Sequence, residues 1–115
     1  MTFDPDCVFC SIVRGDIPSP RVHEDDEFVA FRDIAPAAPV HILIVPRRHV
    51  VSIDALGPDD AASLGRLILL AAQIARDEGI TGDGYRVATN VGKLGGQSVD
   101  HLHVHLLGGR QMGQF

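Results

Sequence analysis

At 115 residues and 12.4 kDa the chain is the size of one compact domain, 1–115, burying about two-thirds of its unfolded surface in one core. Apolar residues at 45% and charged residues at 22%, with no low-complexity tract, exclude disordered and fibrous classes; ten Lys plus Arg against fifteen Asp plus Glu, without a basic stripe, argue against a nucleic-acid partner. The longest apolar run, Leu67 to Ala72, is too short to cross a bilayer and the start, Met1 to Cys7, is polar, so the expectation is a soluble, cytoplasmic protein with no membrane partner.

In chain order, Asp6 is the N-cap of a short helix from Cys7 to Arg14, stopped by Gly15 and then by Pro18 and Pro20. Two short strands, Arg21 to Glu24 and Glu27 to Asp33, flank the tight turn Asp25-Asp26. Val40 to Val45, dense in β-branched residues, is a buried strand closed by Pro46. A long helix runs from Pro58, which suits the first helical position, to about Glu78, with Gly79 as its stop. Leu64, Leu67, Ile68, Ala71, Ala72 and Ala75 recur at helical spacing and should face a sheet. Gly84 to Thr89 is a further strand, Asn90 to Gly96 a loop, and Val99 to Leu107 the last strand.

That last strand carries the chemistry. It reads His101-Leu102-His103-Val104-His105-Leu106-Leu107, so the three histidines share one face at steps of about 6.6 Å while the apolar residues share the other. One buried histidine is commonly a satisfied core residue; three in alternation suit metal ligation, nucleophilic attack or proton transfer. Antiparallel pairing of Val40 to Val45 with this strand, Leu43 opposite His103, places His41 opposite His105 and brings Pro46 to His49 beside His101. His23 has no such context and reads as a surface residue. Just upstream, Gly95-Gly96-Gln97-Ser98 offers backbone amides and two side-chain donors to an anion, or is an ordinary glycine-containing loop.

With Gly96-Gln97-Ser98-Val99 before the alternating histidines, the segment resembles the signature of the histidine triad (HIT) family. Phe31-x-Asp33-Ile34, His41 with Pro46-Arg47-Arg48-His49, and Gly108-Gly109-Arg110-Gln111-Met112 make it similar to the Hint branch of nucleoside phosphoramidate hydrolases. The resemblance implies an α+β fold, a five-stranded antiparallel sheet with one long and one short helix, acting as a homodimer built on the strand near Arg86 and the long helix. It implies that His103 attacks the α-phosphate of a purine nucleotide conjugate to form a nucleotidyl-histidine that water hydrolyses, with no cofactor required for the chemistry. By the same resemblance His105 and the Gly96 turn stabilise the phosphoryl oxygens, Ser98 donates to the leaving group, Gln97 helps place the phosphate, and His41 supports His105. Val8, Phe9, Ile12 and Ile17 sandwich the base with Phe31 and Ile34, Asp33 accepts from the ribose hydroxyls, and Asn90 lies near the phosphate. For the apolar members, simple core packing is the competing reading.

The only cysteines, Cys7-x-x-Cys10, could be a redox pair, half of a zinc site or inert core thiols. Two thiolates and two imidazoles complete a tetrahedral, structural zinc shell, and the strand pairing together with the resemblance nominates His49 and His101 as the other ligands. Two features depart from the Hint pattern: Asp100 stands where an aromatic or apolar residue is common, and Gly113-Gln114-Phe115 replaces an aromatic, proline-containing tail. Two further readings compete: hydrolysis of dinucleoside polyphosphates, disfavoured by Gly95-Gly96-Gln97-Ser98 and Asp33, and a non-catalytic nucleotide- or metal-binding module, disfavoured by the intact triad.

Overall fold

A computed structural model describes residues 3–114; Met1, Thr2 and Phe115, the end of the tail noted above, lie outside the described residues. Alternation of apolar residues produces a five-stranded antiparallel sheet from β1 (Arg21–Glu24), β2 (Phe28–Arg32), β3 (Val40–Pro46), β4 (Tyr85–Ala88) and β5 (Val104–Gly108), in the order β1-β2-β3-β5-β4. Both faces of the central strands are covered, so both parities are apolar. Phe28, Ala30, Ile42, Ile44, Val104 and Leu106 pack beneath the long helix α2 (Ala61–Asp77), against Leu67, Ala71, Ile74 and Ala75. Val29, Phe31, Leu43 and Val45 pack on the other face against Phe9, Cys10, Ile12 and Val13 of the short helix α1 (Val8–Arg14). The architecture is α+β, with one long and one short helix on opposite faces of the sheet.

Several local expectations shift, each for a visible reason. The N-cap of α1 is Cys7, whose sulfur accepts the Cys10 amide; Asp6 instead donates its amide to Asp4 Oδ1. Gly15 then ends the helix in the left-handed region at φ 86°, a conformation side chains disfavour. The first hairpin needs a longer loop than Asp25-Asp26, because Asp25 Oδ1 accepts the amides of both Glu27 and Phe28 and holds Glu27 out of β2. His23 is half-buried and hydrogen-bonded to Asp25 at 2.7 Å across that turn. Pro58–Asp60 forms a 3-10 turn, and the α-helix proper begins at Ala61. On α2 Ile74 is buried, whereas Ile68 is 44% exposed and lies off the core stripe.

The largest difference concerns the histidine segment. Strand β5 begins only at Val104, and Leu43 pairs with His105 while His41 faces Leu107, two residues from the expected register. A two-residue slip preserves parity, so His41 still shares a face with His105 and reaches it diagonally. Residues 99–103 run outside the ladder, held by the segment 46–51: the Leu102 amide donates to Val50 O at 2.6 Å, and His101 Nε2 to Pro46 O at 2.8 Å.

Candidate active site and metal centre

The environment of each histidine fixes which ring nitrogen carries the proton. His103, buried, has Nδ1 at 2.7 Å from the main-chain oxygen of His101; a carbonyl only accepts, so in the neutral ring the proton sits on Nδ1 and Nε2 keeps its lone pair. The Ala37 amide donates to Nδ1 of His41 at 2.9 Å, so in the neutral ring the proton sits on Nε2. That Nε2–H meets Nδ1 of His105 at 2.9 Å, which must accept, leaving the His105 proton on its own Nε2. Burial, with the charges of His103 and His41 adding to it, lowers the pKa of His105 to about 4, so the ring is neutral at pH 7. The rings of His103 and His105 stand 5.0 Å apart, one with an unprotonated Nε2 and the other with Nε2–H. The main chain of His103 is itself held by Thr89, whose hydroxyl donates to its carbonyl at 2.8 Å.

The glycine turn that precedes them in the chain is built tightly. Gly96 is left-handed at φ 83°, and a Cβ at Gly95 would collide with the Val91 carbonyl, so neither position readily accepts a side chain. Gln97 departs from the expected role of phosphate donor: its Nε2 donates to Val51 O and Val99 O at 2.6 and 3.0 Å, and its Oε1 accepts the Gly92 amide at 2.9 Å. Both donors are committed to backbone, so Gln97 shapes the loop. Ser98 is exposed and Asn90 half-buried, its amide nitrogen 3.9 Å from where a Cβ on Gly96 would stand.

The six apolar residues nominated for a base divide in two. Phe9, Ile12 and Phe31 are buried, with Phe9 and Phe31 in edge-on contact at 5.6 Å, while Val8, Ile17 and Ile34 are exposed at 42%, 39% and 95%. Phe9 also stacks edge-on against His103 at 5.1 Å, which joins the apolar cluster to the histidines. Asp33 takes the Ala35 amide on Oδ1 and places Oδ2 3.5 Å from His41 Nε2.

Among the described residues, two groups bring metal-ligating atoms within 4.8 Å of one another: Cys7, Cys10, His49 and His101; and Asp33, His41 and His105. The first suits a cation. Metal–sulfur and metal–nitrogen bonds of about 2.3 and 2.0–2.1 Å at the tetrahedral angle imply S···N edges of about 3.5 Å. Cys7 Sγ and Cys10 Sγ lie 3.4 and 3.6 Å from His101 Nδ1, and Cys10 Sγ lies 3.2 Å from His49 Nδ1. His101 Nε2 donates to Pro46 O, which frees Nδ1 as a ligand and orients the ring. Amides point at both sulfurs, Cys10 N at Cys7 and Asp4 N at Cys10, as thiolates require. Burial pushes the Cys10 thiol up and lowers His101 to about 4, so neutral rings and a compensating cation satisfy the pocket together. The second group fails the same examination: with Nδ1 of His41 occupied by the Ala37 amide, a metal on Nε2 would strip the ring of its last proton.

Sequence reasoning brought His41, His103 and His105 together, and likewise the four Cys and His ligands. It missed the groups that orient them: the Pro46 and His101 carbonyls, the Ala37 amide and the Thr89 hydroxyl. Three of the four are main-chain atoms, about which side-chain spacing is silent. Thr89, at the end of β4, carried no signal of its own.

The HIT domain family model matches residues 14–112. The chain is 48% identical over 106 residues to the purine nucleoside phosphoramidase of Escherichia coli K12, covering 92% of this chain and 89% of that one. Among solved structures it superimposes on a HIT family hydrolase from Legionella pneumophila Philadelphia 1 with TM-score 0.92 and 46% identity, covering 94% and 96% of the two chains. It superimposes on a histidine triad protein from Clostridium difficile with TM-score 0.95 and 38% identity, covering 99% of each. With the alternating histidines in place and nearly the whole chain matched in sequence and shape, this protein belongs to the HIT family.

Proposed function

We propose that the protein hydrolyses purine nucleoside phosphoramidates, cleaving the P–N bond through a nucleotidyl-histidine intermediate. The observation that carries this reading is the complementary protonation of neighbouring rings, a bare Nε2 on His103 and an Nε2–H on His105. The 48% identity to a purine nucleoside phosphoramidase supports the substrate class.

In this reading His103 Nε2 attacks the α-phosphorus; the N–P bond to the histidine forms as the bond to the leaving nitrogen breaks, and that nitrogen departs as an amine with a proton taken from solvent, which the attacking water of the second step returns. The positive charge created on His103 is stabilised by its Nδ1–H bond to the His101 carbonyl. His105 Nε2–H, in a ring held neutral by burial, and the amides of the Gly96 turn donate to the phosphoryl oxygens as charge builds on them. Water then attacks the same phosphorus, releasing the nucleoside monophosphate and restoring His103.

His41 serves as the positioning residue for His105, and Gln97 as that of the glycine turn. Ser98 faces the leaving group, and Asn90 the phosphate. Val8, Ile17 and Ile34 supply accessible apolar surface for the base over the Phe9, Ile12 and Phe31 floor, and Asp33 accepts from the ribose hydroxyls. Zinc held by Cys7, Cys10, His49 and His101 is structural, with no open coordination position and no step in the chemistry. The chain acts as a single cytoplasmic domain, 1–115, without nucleic-acid or membrane partners. It pairs as a homodimer through β4, an edge of the sheet, and α2, where Val87 and Ile68 are exposed.

The test is incubation of wild type and His103→Ala with a fluorogenic adenosine phosphoramidate and, separately, with a dinucleoside tetraphosphate. Cleavage of the first alone, lost in a folded His103→Ala variant, is the expected result. Preference for the tetraphosphate, or turnover surviving in the variant, would overturn the reading.

A further inference from the structure

The cysteine-histidine group and the pair of reactive imidazoles share one residue and one ring. His101 enters the first through Nδ1, at 3.4 and 3.6 Å from the two sulfurs, and enters the second through its carbonyl oxygen, which receives the Nδ1–H of His103 at 2.7 Å. Phe9, between Cys7 and Cys10 on α1, stands edge-on to both His101 and His103, at 6.0 and 5.1 Å. Residues 99–103 have no ladder of their own and are held by the core packing of Leu102 and by point attachments: the His101 ring, the Leu102 amide on Val50, Gln97 Nε2 on Val99 O and the Thr89 hydroxyl on His103. Of these, the ring of His101 lies closest along the chain to the carbonyl that selects the tautomer of His103.

We infer that Cys7, Cys10 and His49 are positioning residues for the nucleophile: by holding a divalent ion together with His101, they fix the carbonyl and the Phe9 ring that aim His103 Nε2. This inference rests on the hydrolase reading above and extends it. The ion-holding group, assigned a purely architectural role by its closed shell, then controls turnover more strongly than nucleotide binding, to which it is joined only through Val8 and Phe9. The distinction is physical: Ile17, Ile34 and Asp33 lie outside both 99–103 and the Cys7-to-Cys10 turn and keep their places when the His101 ring loosens, whereas Val8 and Phe9 stand between two of the ion's ligands. A misplacement of the attacking atom by about 1 Å costs on the order of a hundredfold in rate without touching the contacts that bind substrate.

The experiment compares the zinc-loaded protein, the reduced apoprotein prepared with chelator and thiol reductant, and the apoprotein refilled with cobalt. Four quantities are followed: metal per chain, kcat and KM on an adenosine phosphoramidate, AMP affinity by calorimetry, and the ring-proton position on His103 by nitrogen-resolved NMR. Expected are one metal per chain and a tenfold to hundredfold fall in kcat on metal removal, with KM and AMP affinity changing less than twofold. Loss of the single Nδ1–H form of His103 and recovery of both signals with cobalt complete the expectation. A folded apoprotein that keeps its kcat and its Nδ1–H form overturns the inference. So does a parallel loss of kcat and AMP affinity, or a chain that takes up no metal. Should the apoprotein unfold, His49→Ala titrated with zinc replaces it: turnover that tracks occupancy supports the inference, and constant turnover refutes it. If the loaded protein fails to cleave the phosphoramidate, the hydrolase reading falls, and the His103 proton position with and without metal still decides this one.

Discussion

Acid should destabilise this fold through His105 before its carboxylates titrate. The native ring is held to about pKa 4 by burial and by the neighbouring charges of His103 and His41, against 6.5 for a free histidine. Its Nδ1 also accepts the His41 Nε2–H at 2.9 Å, so protonation would set two N–H groups against each other. The sign follows from proton uptake: below pH 6.5 the unfolded chain binds a proton at residue 105 and the native chain does not, so unfolding is favoured progressively as pH falls toward 4. Each pH unit in that window is worth up to about 1.4 kcal/mol; because the unfolded ring is only half protonated at pH 6.5, the integrated loss between pH 6.5 and 4.5 is about 2 kcal/mol as an upper figure, partial contact with water included. Urea unfolding of wild type and His105→Asn at half-unit steps isolates the effect, because His101 and every carboxylate contribute to both proteins and cancel in the difference. Wild type should lose about 2 kcal/mol more than the variant between pH 6.5 and 4.5. Parallel stability curves would show that His105 titrates normally in the native state and that its neutral, Nε2–H form is not built into the fold.

Three substitutions probe the groups around the reactive pair. Gly95→Ala places a methyl group against the Val91 carbonyl, so the turn must shift; a loss of about 1–3 kcal/mol in unfolding free energy and a reduced kcat are expected, measured by urea titration and steady-state kinetics. Gln97→Ala removes three hydrogen bonds that join residues 92, 51 and 99; the cost should be about 1–3 kcal/mol with faster amide exchange over 92–99, and unchanged exchange there would contradict its role as a staple. Thr89→Val leaves the His103 carbonyl without its 2.8 Å donor at nearly constant volume; about 1 kcal/mol of stability should be lost in thermal unfolding, while Thr89→Ser, which keeps the hydroxyl, should lose less.

Much of this architecture was legible because burial on both faces of β2 and β3 leaves an apolar signature at every position but Arg32 and His41, and because α2 repeats its core residues at helical spacing. The clustering of histidines was legible too, since alternation of His101, His103 and His105 needs only an extended chain, whether or not a ladder forms. The register of β3 against β5 was not. A slip of two residues puts every side chain on the same face as before, so hydrophobic pattern cannot separate Leu43 opposite His103 from Leu43 opposite His105. Gln97 misled for a related reason: an amide beside a glycine turn is as competent to bind phosphate as to bind carbonyls, and its partner Val51 lies 46 residues away. The N-cap followed the same course, Cys7 taking over from Asp6 because its sulfur, already drawn toward His101, sits where the Cys10 amide points.

The early end of the ladder at Val104 is what allows neighbouring members of one histidine alternation to do different work. In a continuous strand the carbonyls of residues 101 and 103 would be taken by amides of the flanking strands. Here Pro46, which has no amide, closes β3, and Ala88 is the last residue of β4 to pair, opposite His105. Both carbonyls are therefore available to side chains: that of His101 accepts from His103 Nδ1, and that of His103 accepts from Thr89. The first bond holds the proton on the inner nitrogen of His103 and leaves the outer one bare, while His105, inside the ladder, has its ring set by His41 across the strands. His101, fully buried, bonded through Nε2 to Pro46 and facing both sulfurs through Nδ1, is withdrawn from proton transfer altogether. A ladder extended through residue 101 would restore regular sheet at the cost of the acceptor that holds the His103 proton on Nδ1.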